Sequence, residues 1–310
     1  MSPHLSPELA VLVVGIALAV GVYVVAVLDQ AIGEQVGGAR PRLQRVVLDP
    51  FRSSALLLIQ QRRTTERTDA PGWLLAPALL MALAALALAL VPLGPTEVAA
   101  DPDTGFVIFA AAIAFVMIAV YLHGWSPNSV FPLHGAYRFG AQSLSSQMPF
   151  LLAMLATTLP AESLSIVDIV AAQESVWNVI RQPLGLPLYL IVGVAVSFWG
   201  PLNLPDAADL AGGTSAEDSG VARLMWKAAR AAMLVAVAAM GATGFLGGWW
   251  GPWLPGAAWV ILKTLALLIL LVAAGHLLAR VRIEGFVVVC WALLIPLALL
   301  NIFVSGAVLL

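Results

Sequence analysis

The residues of this chain that could carry chemistry are few and sit in three places. Asp206, Asp209, Glu217 and Asp218 cluster within PLNLPDAADLAGGTSAEDSG (201–220), and Arg138 is the single charged residue of GWSPNSVFPLHGAYRFGAQSLSSQMPF (124–150). Lys263 is the only lysine or arginine well inside an apolar run, eight residues into it, and Arg282 with Glu284 precedes the last such run. Acids and bases held away from water can pair, and can hold or pass protons. By composition alone a solvated loop reads the same as a working acidic cluster, and Lys263 could equally snorkel to an interface. Metal and redox chemistry have no such constellation: His4, His123, His134 and His276 are scattered without ligand spacing, and a single cysteine, Cys290, can neither close an internal disulfide nor hold an iron–sulfur cluster. The expectation is a chain that binds no cofactor of its own and no nucleic acid. His276, near the end of its run, reads as a packing residue.

What must position these groups is a membrane-embedded bundle. Of the 310 residues 61% are hydrophobic and 10% charged, and the mean hydropathy is +0.96, far from a soluble globular chain. About 20 apolar residues cross the ~30 Å hydrocarbon layer as helix, and the short alternating runs of a β-barrel are not seen. Eight apolar runs stand out, at about 8–29, 72–93, 105–123, 146–160, 184–203, 224–247, 256–279 and 285–309. The fourth is short and needs Gln142 to Ser146 for its first turn, which protein burial would permit. The fold expected is all-α: a polytopic membrane helical bundle of about eight transmembrane helices with interfacial amphipathic helices, one domain over 1–310.

Charge placement agrees with that count. Arg40, Arg42, Arg45, Arg52, Arg62, Arg63 and Arg67 follow the first run, Arg138 the third, Arg223, Lys227 and Arg230 the fifth, and Arg280 and Arg282 the seventh. The alternate connections carry Glu97, Asp101, Asp103, Glu162, Asp168 and Glu174 against Arg181 alone. The positive-inside bias then makes the basic side cytoplasmic and puts both termini outside a prokaryotic-type plasma membrane. Two connections read as amphipathic helices lying on the surface, 43–62 on the basic side and 163–182 on the acidic side, whether they only cover the bundle or serve a partner. No internal repeat of the kind found in many secondary transporters is present, which leaves a stand-alone transporter the weakest reading.

The polar stretch GWSPNSVFPLHGAYRFGAQSLSSQMP resembles, nearly residue for residue, the third cytoplasmic loop of the H-type family of NADH-quinone oxidoreductase (complex I) membrane subunits. Collinear with it, GGARPRLQRVVLDPFRSSALLLIQQ is similar to the family's first loop in length and in Pro50, Leu57 and Leu58. SIVDIVAAQESVWNVIRQPLG is similar to its outer amphipathic segment, and PLNLPDAADLAGGTSAEDSG to its fifth-to-sixth loop with one residue deleted. WVILKTLALLILLVAAGHLLARVRIEGF and LLIPLALLNI resemble its last two helices. The resemblance implies a subunit without its own cofactor, placed where the electron-transfer arm meets the membrane arm. Such a subunit would form part of the chamber for a quinone substrate, with iron–sulfur and antiporter-like subunits and membrane lipid as partners. A membrane subunit of a group 4 hydrogenase-like complex is the alternative within the same superfamily.

Positions matching the family imply roles. Arg52, Arg138, Asp206, Asp209 and Glu217 are the candidates for the quinone chamber and its loops, and Lys263, Arg282 and Glu284 the candidates for a proton path. Other positions depart from the family. Gln147 stands for a glutamate, Val196 and Trp199 for a glutamate and an arginine, and Asn203 for an aspartate; in the first loop Ser53, Leu56, Gln60 and Gln61 replace Asp, Lys, Lys and Glu. Glutamine hydrogen-bonds but exchanges no proton near neutral pH, and valine does neither. These substitutions put the family's proton-coupling role in question and raise a second reading, a structural membrane anchor. Pro149, Pro201 and Pro205 each leave backbone carbonyls that protein or water must satisfy.

Overall fold

The structure, a computed structural model, describes residues 6–309 apart from 39, 41 and 207–211, so Asp209 lies outside the described residues. In chain order its helices are α1 (Pro7–Val36), α2 (Leu43–Ile59), α3 (Ala70–Ala89), α4 (Gly105–Trp125), α5 (Val130–Thr158), α6 (Ile166–Ala171), α7 (Asn178–Arg181), α8 (Gly185–Val196), α9 (Gly220–Phe245), α10 (Gly256–Leu277), α11 (Ile283–Val289) and α12 (Ile295–Leu309). A π turn, Cys290–Leu294, joins α11 to α12 into one long helix. Pro296 offers no N–H to the carbonyl four residues back, and the helix widens immediately before it. Each apolar run expected to cross forms helix over at least part of its length. Among the described residues six helices (α1, α3, α4, α9, α10 and α11–α12) are long and apolar enough to span a membrane; α5 is polar over its first half, and α8 has only 12 residues.

The helix α9 forms the centre of the bundle, almost wholly buried among α1, α2, α3, α8 and α10. Apolar burial gives helices little advantage in lipid, so close backbone approach and interhelical hydrogen bonds must hold them. The Ala-rich sequence of α9 supplies the first: Val237 lies where a Cβ on Gly193 of α8 would come within 2.5 Å. The second is supplied by Tyr189 of α8, buried among Phe150 and Phe245, whose hydroxyl donates to the Val237 carbonyl at 2.7 Å.

Three elements depart from expectation. The polar 124–150 stretch is not a loop: from Val130 it is helix, continuous with the fourth run. Two of its hydroxyls are satisfied within that helix, Ser145 donating to the Ala141 carbonyl at 2.8 Å and Ser146 to Ser143 at 3.3 Å, so their polarity need not break it. The fifth run stops at Val196 instead of reaching 203. Buried Gln142 on α5 donates to the carbonyls of Ala195 and Leu202, at 2.7 and 3.0 Å, and holds the unwound segment between them. The 163–182 segment is not one amphipathic helix but the short α6 and α7. Buried Gln173 separates them, donating to the Ile169 and Thr243 carbonyls and accepting from the N–H groups of Asn178 and Gly247. By contrast, α2 is the helix expected: Val46 and Pro50 are buried, while Leu43, Phe51, Leu56 and Ile59 are exposed.

The connections gather at two ends. At the basic end the Arg63 N–H donates to Ser219 Oγ at 2.7 Å, Thr65 donates to the Pro127 carbonyl, and the Val281 N–H donates to Pro201 at 3.0 Å. At the acidic end the Phe106 N–H donates to Leu164 at 2.9 Å and Trp250 Nε1 donates to Val170 at 2.9 Å. The partition follows the charge alternation of the sequence.

Candidate functional site

At the basic end three connections far apart in the chain close on one another. Gln60 Oε1 accepts from the Gly220 N–H at 3.1 Å, the Asp69 N–H donates to Ser126 at 2.9 Å, and Ser129 donates to Glu217 Oε1 at 2.9 Å. Beneath them is a buried hub. Asp218 accepts from Trp73 Nε1 at one carboxyl oxygen and pairs with His123 Nε2 at the other, both at 2.9 Å, and the side chains of Asp218 and His123 are fully buried. The His123 ring lies flat on Trp226, centroids 3.6 Å apart and planes 9° from parallel. An ionised Asp218 facing His123 Nε2 requires the proton on that nitrogen, and His123 Nδ1 then has no partner among the described residues. Helices α3 and α4 thus meet on one carboxylate, with α9 joined through Trp226, and Arg62 sits over the Trp73 ring at 5.5 Å.

A second centre fills the segment where the substitutions cluster. Past Val196 the chain turns through Phe198 (φ 39°) and Gly200 (φ 50°), whose Cα packs against Gly275 of α10 so closely that a Cβ on Gly200 would lie 2.5 Å from it. Into this bend reaches Arg230 of α9. It bonds Asp206 at 3.0 Å and the Phe198 carbonyl at 2.7 Å, and its guanidinium lies 4.6 Å from the Trp199 ring and 5.1 Å from Phe198. Asn203, with its amide oriented to suit both neighbours, accepts from Arg230 and donates to the Phe198 carbonyl, each at 3.2 Å. The aromatic at 199 is therefore the platform for an arginine from another helix, so a cation occupies the region despite the loss of arginine from position 199. Charge alternation along the sequence puts Arg230 in a connection and leaves Lys263 alone inside a run. Arg230 is instead the eleventh residue of α9, within the bundle. The available signal was its spacing, seven residues from Arg223 and three from Lys227, on one helical face.

The remaining candidates divide. Arg138 donates to the Gly212 carbonyl and shares a groove of about 490 Å³ with Arg282 and Glu284, so members of the chamber and proton-path sets meet there. Arg52 points outward, its side chain 68% exposed and paired with Asp49 at 3.1 Å, and Ser53 is exposed and bonds only its own helix at the Pro50 carbonyl. Lys263 lies near the acidic end, away from Arg282 and Glu284. Its ammonium donates to the carbonyls of Gly248 and Trp250, at 2.9 and 2.6 Å, 4.2 Å from the Trp177 ring. Gln147 carries a buried amide whose oxygen and nitrogen both lack a partner among the described residues. Val196 is buried in the core.

The family described as NADH dehydrogenase matches residues 8–306 of this chain. Among curated proteins, the H subunit of NADH-quinone oxidoreductase from Geobacillus kaustophilus (strain HTA426) is 33% identical over 279 residues, covering 88% of this chain and 82% of the relative.

Proposed function

Since this chain belongs to the NADH dehydrogenase family, as an H-type membrane subunit of a multi-subunit NADH-quinone oxidoreductase, we propose that its basic end is the docking surface for the peripheral arm and borders the quinone chamber. The observation that carries the reading is the interlocking of segments 60–69, 126–129 and 213–220 over the His123–Asp218 hub. Separate flexible loops would present no fixed relief to a partner; clamped ones offer a shaped polar surface at a bundle end. Quinone access is assigned to α2, whose exposed Leu48, Phe51 and Leu56 lie beside α1 through the Tyr23–Phe51 ring contact at 4.7 Å. An apolar headgroup-level helix gives a lipid-soluble substrate a surface along which to leave the bilayer. The basic end is assigned to the cytoplasm, and iron–sulfur and antiporter-like subunits are the partners proposed.

The test is purification through a tag on this chain in gentle detergent, with mass spectrometry of what accompanies it and an inhibitor-sensitive quinone-reductase assay. Recovery of iron–sulfur and antiporter-like subunits with such activity supports the reading; recovery of the chain alone sinks it. A second reading, the structural anchor, is favoured by the absence of an ionisable group at 147, 196 and 203. It requires that Gln147→Glu and Val196→Glu leave proton pumping unchanged, and a gain of pumping rejects it.

A further inference from the structure

Between residues 203–206 and 213–216 on one side and α9 on the other lies a cavity of about 380 Å³ whose lining includes Asn203, Ser215, Arg223, Trp226, Lys227 and Arg230. Among the described residues that line it the only acid is Asp206, which is already engaged by Arg230 and by the Ser215 hydroxyl. Arg223 and Lys227, one helical turn apart at the rim, have no ion-pair or hydrogen-bond partner among the described residues. Two like charges at that spacing repel each other when nothing stands between them. The interior adds a second, independent sign. Trp226 Nε1 and Arg230 Nε are buried N–H donors without an acceptor, and so is the hydroxyl of Thr214, flanked by lining residues Gly213 and Ser215. Buried donors are almost always satisfied, so three orphans around one cavity mark a missing acceptor.

We infer that this cavity binds an oxyanion of the phosphate class. A tetrahedral phosphate group presents several acceptor oxygens at once, which meets N–H and O–H donors from both α9 and segment 213–216 while bringing negative charge to the Arg223–Lys227 pair. A quinone headgroup has only neutral carbonyls and would leave that pair uncompensated. The volume exceeds what one or two waters need, at ~30 Å³ of liquid each, and admits a phosphate ester as readily as free phosphate. The rim lies at the basic end, where a lipid headgroup and a soluble phosphate can both arrive. The inference does not depend on the quinone reading.

The test uses the complex purified through this chain in neutral detergent and stripped of anionic lipid. Equilibrium binding is measured with radiolabelled inorganic phosphate and with short-chain phosphatidylglycerol, on the wild type, Arg223→Gln/Lys227→Gln and Trp226→Phe. The expected result is one saturable site per chain, weakened tenfold or more in the double variant and at least threefold in Trp226→Phe, which removes an N–H but keeps the ring. Saturation by both probes identifies free phosphate as sufficient; saturation by the lipid alone identifies a headgroup. Should the double variant fail to assemble, Trp226→Phe decides. Equal affinity across the variants, absence of saturation by either probe, or displacement of phosphate by a neutral quinone analogue overturns the inference. So does a cross-link from Lys227 to a partner's carboxylate in a complex that binds no phosphate.

Discussion

Two cations lie inside this bundle, both against tryptophan rings, and they are neutralised in opposite ways. Arg230, toward the basic end, has a carboxylate, a carbonyl, an amide and two aromatic faces. Lys263, toward the acidic end, has two backbone carbonyls and the Trp177 and Trp259 rings, with no acid bonded to it. A charge met by an opposite charge responds to whatever other charge enters its surroundings, whereas a charge met by dipoles mainly fixes the backbone that supplies them. The comparison makes Arg230 part of an electrostatic centre and Lys263 a clasp on the α9–α10 turn.

The sharpest way to break the comparison is to remove one partner of each cation. Asp206→Ala leaves the Arg230 charge in a nearly buried site and is expected to cost about 3–5 kcal/mol. Combining it with Arg230→Met should cost less than the sum of the two single changes, measured as a double-mutant cycle on thermal stability of the purified complex. Lys263→Met strands the Gly248 and Trp250 carbonyls, with an expected loss of about 1–3 kcal/mol, visible in the same unfolding assay. An equal coupling of Lys263 to any acidic residue in such cycles would erase the distinction.

Gly135 tests how tightly Pro205 and Thr214 are seated beside the Arg230 centre. In a helix, Ala is favoured over Gly by about 1 kcal/mol, but a Cβ here would lie 2.4 Å from the Pro205 carbonyl oxygen and 2.5 Å from the Thr214 nitrogen. Both atoms are backbone, so the clash should prevail: Gly135→Ala is expected to destabilise by about 1–3 kcal/mol, read by the midpoint of thermal unfolding. The smallest effect belongs to Arg52→Ala. Its exposed pair with Asp49 is expected to contribute less than about 1 kcal/mol, and an unchanged midpoint with unchanged quinone-reductase rate would remove Arg52 from the chamber candidates.

Much of the architecture was legible because membrane crossing is written in local composition: each apolar run contains a helix, though the fifth ends early, and the alternation of charge matches the sorting of connections into two ends. What could not be read was decided by single buried amides acting across long separations. Gln142 reaches Ala195, 53 positions away, to end α8 early, and Gln173 reaches Gly247, 74 positions away, to split the 163–182 segment. Hydropathy likewise cannot show that Ser145 and Ser146 bond carbonyls within α5, so a helix read as a loop. Among the site residues, Asp206 and Glu217 were recognised as candidates, but His123 read as one of four scattered histidines. Its meaning came only from Asp218, 95 positions on. Arg230 was hidden by its basic neighbours, which made the start of α9 look like a connection.

The π turn at Cys290–Leu294 bears on how this chain tolerates insertions and deletions. Such a turn accommodates one residue more than an α-helical turn, so it behaves as a single inserted residue absorbed locally, with the helix resuming in register for the neighbours it must meet. Removing one residue from 290–294 would therefore close the turn to α geometry and leave the side chains after it facing the neighbours they face now, whereas the same deletion further along α12 would swing every later side chain by about 100° around the axis. Asn301, buried with its amide 3.4 Å from Gln182, would keep that contact in the first case and lose it in the second, and with it the tie between the final helix and the segment leading into α8.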